Sequence, residues 1–187
     1  IYEKPDDWAG QFLIREINLK TFFVQPTASY KISDKLGIGV GFIYAFGDFG
    51  LRKGVPIQDQ TEAYGEGELN GKASGFGFNS GIYFKPDSTW SFGLTYRSAV
   101  KTSVDNGAAK FDLPVSLAEY FPSTSFSTGL KLPSVVSFGV DYTKNNWSVA
   151  FDVNYVGWTA YDSLVIDFAD NTDKLADIHS ARKYENT

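Results

Sequence analysis

Between Gly75 and Val100 the chain has few ways to fold. Phe76, Phe78, Ile82 and Phe84 share one side of an alternating pattern, and Gly75, Gly77, Asn79 and Gly81 take the other. After a tight turn at Pro86-Asp87-Ser88 the alternation resumes, with Trp90, Phe92, Leu94 and Tyr96 against Ser91, Gly93, Thr95 and Arg97. A period of two with bulky apolar groups on one side is the mark of a β-strand with one greasy face. Two such strands around a short turn make an antiparallel hairpin. What remains to be decided is whether that face meets a protein core or lipid.

The same pattern recurs along the chain. Residues 1–8 are polar and turn-like, and an extended region runs from Gly10 to Ile32. Its second half sets Phe22, Val24, Ala28, Tyr30 and Ile32 against Phe23, Gln25, Thr27, Ser29 and Lys31. Pro26 interrupts it, which implies an edge or a bulge because proline cannot donate to a ladder. After a turn at 33–35, Ile38, Val40, Phe42, Tyr44 and Phe46 face one way. Later strands carry Val136, Phe138, Val140 and Tyr142, then, beyond a turn at 143–146, Trp147, Val149, Phe151, Val153 and Tyr155. The last strand is expected to continue to about Phe168, with a polar tail behind it. Residues 49–72 and 105–132 read as long loops, and Leu113, Leu117, Tyr120 and Phe121 in the second have helical spacing. About six strands result, with connections that alternate short and long, as in transmembrane barrels.

The short turns are flanked by Tyr30, Phe84, Trp90, Tyr142 and Trp147, all on the greasy face. Amphipathic rings favour the headgroup level, so this is the arrangement of an aromatic girdle. From Trp147 to Tyr155 the strand covers roughly 26 Å, or about 20 Å of height at a tilt of ~40°, close to the apolar band of such barrels. The opposite face is small as well as polar, which suits a lumen wall. The expected fold class is all-β: an antiparallel transmembrane β-barrel. A water-soluble barrel or sandwich with the aromatics inside is the competing reading.

Composition narrows the chemistry. The 187-residue chain has a net charge of −5 and no basic run, so nucleic acid is not an expected partner. It has no Cys and one His, His179, which leaves neither a thiol metal site nor a Ser/His pair for a barrel phospholipase. Asp170, Asp173 and Asp177 do not follow calcium-loop spacing. No catalytic residue, metal or cofactor is expected.

Three stretches carry a family likeness. The segment 75–101 resembles the FadL/TodX family of outer-membrane transporters for fatty acids and other hydrophobic compounds. Its Gly75, Phe76, Gly77, Asn79 and Gly81, then Tyr96, Arg97 and Ser98, match the family's strand–turn–strand pattern. The hairpin from Pro26 to Tyr44 is similar in character, and Leu132, Pro133, Trp147 and Trp158 match a third hairpin. Together these cover most of residues 8–168. The resemblance implies a fourteen-stranded barrel of a Gram-negative outer membrane, plugged by an N-terminal hatch, of which this chain would be a fragment holding the fourth to ninth strands. Its partners would be hydrophobic small molecules, membrane lipid, and the missing hatch and strands of the same protein. The long loops would be extracellular and the short turns periplasmic. Substrate would diffuse passively and leave sideways.

For a ligand groove the resemblance directs attention to the long loops, where Leu113, Val115, Leu117, Tyr120 and Phe121 form a candidate apolar wall. Arg52 and Lys53 are candidate contacts for a carboxylate. Arg97, Asp141 and Asp152 are expected to form a polar network in the lumen. A secretion or assembly platform, a soluble lipid-binding barrel and a general porin are the alternative functions.

Overall fold

The computed structural model describes residues 2–3, 10–58 and 64–187. The strands are β1 (Tyr2–Glu3), β2 (Glu16–Val24), β3 (Thr27–Ser33), β4 (Leu36–Gln58), β5 (Tyr64–Phe84) and β6 (Trp90–Arg97). They continue with β7 (Val100–Asp112), β8 (Thr124–Leu132), β9 (Val135–Lys144), β10 (Trp147–Val156), β11 (Ser163–Phe168) and β12 (Ile178–Ala181). All belong to one antiparallel sheet.

Several of these are halves of longer strands. β2 and β3 pair with β4 in one register from Glu16 to Lys31, across Pro26. β6 and β7 both run along β5, and β8 and β9 run along β7 and β6. β10 and β11 lie beside β9 and β8. Joined in this way, six long strands follow one another as an up-and-down meander.

The interruptions fall in a single row. Phe42 N–H donates to the Pro26 carbonyl at 3.1 Å, and Phe42 pairs with Phe78. Ser98 N–H donates to the Phe78 carbonyl at 2.9 Å, and Phe78 N–H donates back to Ser98 Oγ at 2.9 Å. Gly157 N–H donates to the Ser134 carbonyl at 2.9 Å. Each break is thus bridged by a backbone or hydroxyl partner, which matters at a depth where an unpaired amide finds no water.

Where the sequence suggests long loops over 49–72 and 105–132, the sheet continues. β4 and β5 stay in register from Leu36↔Phe84 to Val55↔Gly65, and β7 and β8 pair up to Ala109↔Thr124. Gly, Glu and Asn have low strand propensity, but pairing on both sides overrides it. Residues 59–63 of the first supposed loop lie outside the described residues. In the second, only 113–123 remains irregular, and its helical spacing yields one 3-10 turn, Val115–Leu117. The strand from Trp147 stops at Val156; a six-residue excursion precedes β11. Within the polar tail Ile178–Ala181 forms a strand against β11. Of residues 1–8, only Tyr2 and Glu3 are described, and they pair with Ile17 and Glu16.

The tight connections are Asp34-Lys35, residues 85–89, and Asn145-Asn146, where Asn145 takes φ 54°, a left-handed value that Asn tolerates well. Asp87 organises the second. Its Oδ1 accepts from the backbone N–H groups of Thr89 (2.7 Å) and Trp90 (2.9 Å). These two bonds, helped by the charge of Lys35, hold its carboxyl below the ordinary carboxylate range.

The bulky alternating face is uncovered. Val40 is 60% exposed, Phe42 51%, Phe78 53% and Phe151 60%. A water-soluble fold with this face inside would bury them, so the greasy face is the lipid face. Rings cluster toward both edges of the band: Phe22 on Phe46 and Tyr44 on Phe76 at one, Trp90 against Phe92 and Tyr142 at the other.

Two outcomes follow from this architecture. Phe42→Arg, at mid-band on the lipid face, is expected to cost about 2–4 kcal/mol, whereas Asn70→Arg beyond the band costs close to zero; unfolding titrations in phospholipid vesicles measure both. The second concerns acid. Because the folded pKa of Asp87 is lowered, its stabilisation is present above the ordinary value of about 3.9 and is lost as pH falls through the lowered one. Wild-type thermal midpoints should therefore drop on acidification below about pH 4, and Asp87→Ala should start lower at neutral pH and show a shallower drop.

Candidate functional site

β4 and β5 run without a break, and along them the two faces exchange character. On β4 the outward positions 38, 40, 42, 44 and 46 are Ile, Val, Phe, Tyr and Phe; the next are Asp48, Gly50 and Arg52. The inward positions are Gly37, Gly39 and Gly41, then, further up, Phe49, Leu51 and Val55. On β5 the outward face changes from Phe78 and Phe76 to Lys72, Asn70 and Glu68, and the inward face gains Leu69. One half of the sheet is apolar outside and mostly small or polar inside, with Ile43 buried against Ala45 and Val100 near its upper end. The other half is charged outside and apolar inside, as a protein in water would be.

That upper half has a true core. Leu69, Val104, Ala109, Phe126, Ile166, Phe168 and Leu175 are buried together, with Phe49, Leu51, Phe111, Phe121 and Ile178 packed against them. Phe126 is 2% exposed and lies over Gly107, where a Cβ would sit 2.2 Å from its ring. Thr172 Oγ1 donates to the Tyr120 carbonyl at 2.5 Å and accepts from Leu175 N–H at 3.0 Å, which pins the segment carrying Leu175. Phe168 N–H donates to Asp177 Oδ1 at 3.0 Å.

The core is incompletely filled. A cavity of 140 Å³ lies between Ile17 and Leu19 of β2 and Tyr161 and Leu164 around β11, floored by Phe49, Val104 and Leu130. The sheet therefore curls until its two ends face each other across this space. A second cavity, of 340 Å³, is bounded by Phe12, Leu51, Phe111, Phe121, Phe168 and Ile178. Its charged lining residues are Lys53 and Lys174. The Lys174 ammonium stands 4.5 Å above the Tyr120 ring.

The candidate residues disperse. Of the five proposed groove residues, Phe121 lines the larger cavity. Tyr120 lies beside it under Lys174. Leu113 fills the space over Gly65, Leu117 sits half-buried in the 3-10 turn, and Val115 is 92% exposed. The five do not assemble into one wall, because a single 3-10 turn cannot present the face that an α-helix would. Arg52 and Lys53 part company as neighbours on a strand must. Lys53 reaches the larger cavity, while Arg52 faces outward with its Nε 3.7 Å from Glu16 and 3.5 Å from Glu66, which also pairs with Arg15 at 2.5 Å.

The lumen candidates are separated as well. Arg97, Asp141 and Asp152 share the inner face, but among the described residues no ion pair joins them. Arg97 pairs with Val135, six positions from Asp141 on β9, about 20 Å away. Asp141 instead accepts from Thr143 (3.0 Å) and Ser148 (3.2 Å), and Asp152 leans over Gly139. Sequence reading also missed Ile17, Leu19, Phe126, Ile166, Phe168 and Leu175. The available signal was a slip in phase, from odd apolar positions at 17 and 19 to even ones at 22 and 24.

Comparison with known proteins decides the family. A model of the outer membrane protein transport protein family (OMPP1/FadL/TodX) matches residues 1–187. The chain belongs to this family. It is 26% identical over 190 residues to the long-chain fatty acid transport protein of Salmonella typhi, covering 87% of this chain and 43% of that protein. For the protein of the same description from Escherichia coli (strain K12) the values are 24% over 198 residues, 87% and 44%. The chain thus spans less than half the length of these relatives. A FadL homologue of Pseudomonas aeruginosa superposes with a TM-score of 0.80 at 16% identity, covering 98% of this chain and 48% of that one. The Ralstonia pickettii toluene transporter TbuX gives 0.70 at 14% identity, covering 91% and 50%. This family member is an outer-membrane β-barrel protein, and the resemblance read from residues 75–101 holds.

Phe126→Ala is expected to cost about 3–5 kcal/mol by emptying the core between the cavities. Gly107→Val should cost a comparable amount through its clash with the Phe126 ring. Unfolding titrations of the two variants against wild type test this, and an unchanged midpoint for both would refute the core assignment.

Proposed function

We propose that this chain builds part of the wall of an outer-membrane passage for hydrophobic molecules, long-chain fatty acids or aromatic hydrocarbons, which cross by passive diffusion. The observation that carries this reading is the inversion of the two faces: beyond the lipid band the interior turns apolar and holds two cavities. A general porin has no use for an apolar interior, and a secretion platform would need its contacts on the loop surfaces. Neither nucleotide nor ion coupling enters the scheme.

The long hairpins would face the cell surface, with the turns at 33–35, 85–88 and 143–146 toward the periplasm. Substrate entering the larger cavity buries apolar surface at ~25 cal/mol per Å². A carboxylate head would meet Lys53, and a neutral hydrocarbon would need no such partner. The smaller cavity lies deeper and borders Tyr161 in the excursion at 157–162, where β10 and β11 lose continuity. That discontinuity is the most suitable place in this chain for sideways exit. The Gly-lined inner face below would be occupied by a hatch.

The test is uptake of labelled oleate and toluene by cells carrying variants of equal surface abundance. Leu164→Trp, which fills the smaller cavity, should reduce uptake of both. Lys53→Gln should weaken oleate binding by about tenfold, the order expected of one partly screened charge-assisted bond, and leave toluene unaffected. Equal uptake by Leu164→Trp and wild type would overturn the cavity route.

A further inference from the structure

On the outer face, at the upper edge of the lipid band, two lysines oppose each other. Lys101 of β7 pairs directly with Lys131 of β8. Like charges facing each other across a ladder are destabilising. Both side chains are exposed, and among the described residues neither has an ion-pair partner. Their height is set by register. Lys101 is in line with Phe76, the last outward apolar residue of β5. On their own strands the apolar face ends at Tyr96 and Val136, just across the breaks at 98–99 and 133–134. The ammonium groups therefore stand where lipid phosphates stand.

They also border a concavity. Lys101 and Lys131 line a 530 Å³ groove with Ser103, Ser127, Asp162 and Asp167, and Asp105 completes its rim. The lysines sit on the membrane side. Asp167 lies four residues further up β11 than Ser163, and Asp105 four further up β7 than Lys101, about 13 Å in each case, so these two carboxylates stand where sugar hydroxyls would project, while Asp162 lies at the height of Lys131. Paired ammoniums next to an apolar band, with Ser103, Ser127, Asp105 and Asp167 above them and Asp162 beside Lys131, make a poor site for a bare anion, which the acids would repel. They complement a phosphate that carries a sugar and is anchored by acyl chains.

We propose that Lys101 and Lys131 bind the phosphorylated sugar headgroup of a glycolipid in the surface leaflet, with its acyl chains against Phe76 and Tyr96. The site rests on the apolar band lying in the membrane and on the long hairpins facing the cell surface. It is independent of the cavities.

The protein, purified from outer membranes in mild detergent, is incubated with lipopolysaccharide, with phosphatidylglycerol, or with lipopolysaccharide plus inorganic phosphate. Retained lipid is then quantified by mass spectrometry, with heat-modified electrophoretic mobility as the check on folding. Wild type should retain lipopolysaccharide, and Lys101→Gln/Lys131→Gln should retain about tenfold less or lower still, since each lysine near an anionic surface contributes severalfold. Lys101→Arg/Lys131→Arg and Lys110→Gln, an exposed lysine opposite Glu68, should behave as wild type. If the double glutamine variant does not fold, the two single variants give the reading. Undiminished retention by the glutamine variants overturns the proposal. So does equal retention of phosphatidylglycerol, or displacement by inorganic phosphate at millimolar concentration. Oleate uptake is measured in parallel, so failure of the lipid site and failure of the transport reading are told apart.

Discussion

A backbone amide in hydrocarbon has no water to fall back on, and leaving one unpaired costs several kcal/mol. This explains why the chain is a continuous antiparallel ladder, and why each interruption is repaired on the spot. Ser98 is the clearest case. At the break between β6 and β7 its hydroxyl accepts from Phe78 N–H where a carbonyl is missing, and its own N–H donates to the Phe78 carbonyl. Pro26 removes a donor, yet its carbonyl still takes Phe42 N–H. At Phe42, Ser98 and Gly157 the row of breaks thus keeps its hydrogen bonds while the sheet curls.

The second constraint is the change of solvent along each strand. Below the boundary, lipid outside favours Val40 and Phe42, and the inner face is left to Gly37, Gly39 and Gly41. Above it, water outside favours Asp48 and Arg52, and the apolar groups move inward as Phe49 and Leu51. The same strand thus serves as a membrane wall for half its length and as a soluble-type β-protein for the rest. Apolar cavities arise where the second regime begins, and the boundary itself, with Lys101 and Lys131, falls between the two.

How far this could be read in advance varied with the residue. The strands that contact lipid were legible because Phe76, Phe78, Trp90 and Phe92 repeat a strong alternating signal. The water-exposed halves were not, because Gly65, Gly67 and Gly71 carry no pattern and Glu66 and Glu68 suggest a loop. Arg52 and Lys53 are adjacent in the sequence, but a strand sends adjacent side chains to opposite faces: Lys53 enters the cavity and Arg52 joins Glu16 and Glu66. Arg97, Asp141 and Asp152 do share a face, but a shared face says nothing of distance along it.

The residues alone were enough for an antiparallel arrangement of about six strands, the lipid-facing side of each, and a resemblance to a family of outer-membrane transporters. Period-two alternation and turn chemistry are local, so they can be read locally. The tertiary structure alone decided that the supposed loops are strands, that Phe126, Ile166 and Leu175 meet in one core, and that Phe121 and Lys53 border one cavity. Those contacts depend on register between distant segments and on the curl of the sheet. Neither is encoded in any short stretch of residues.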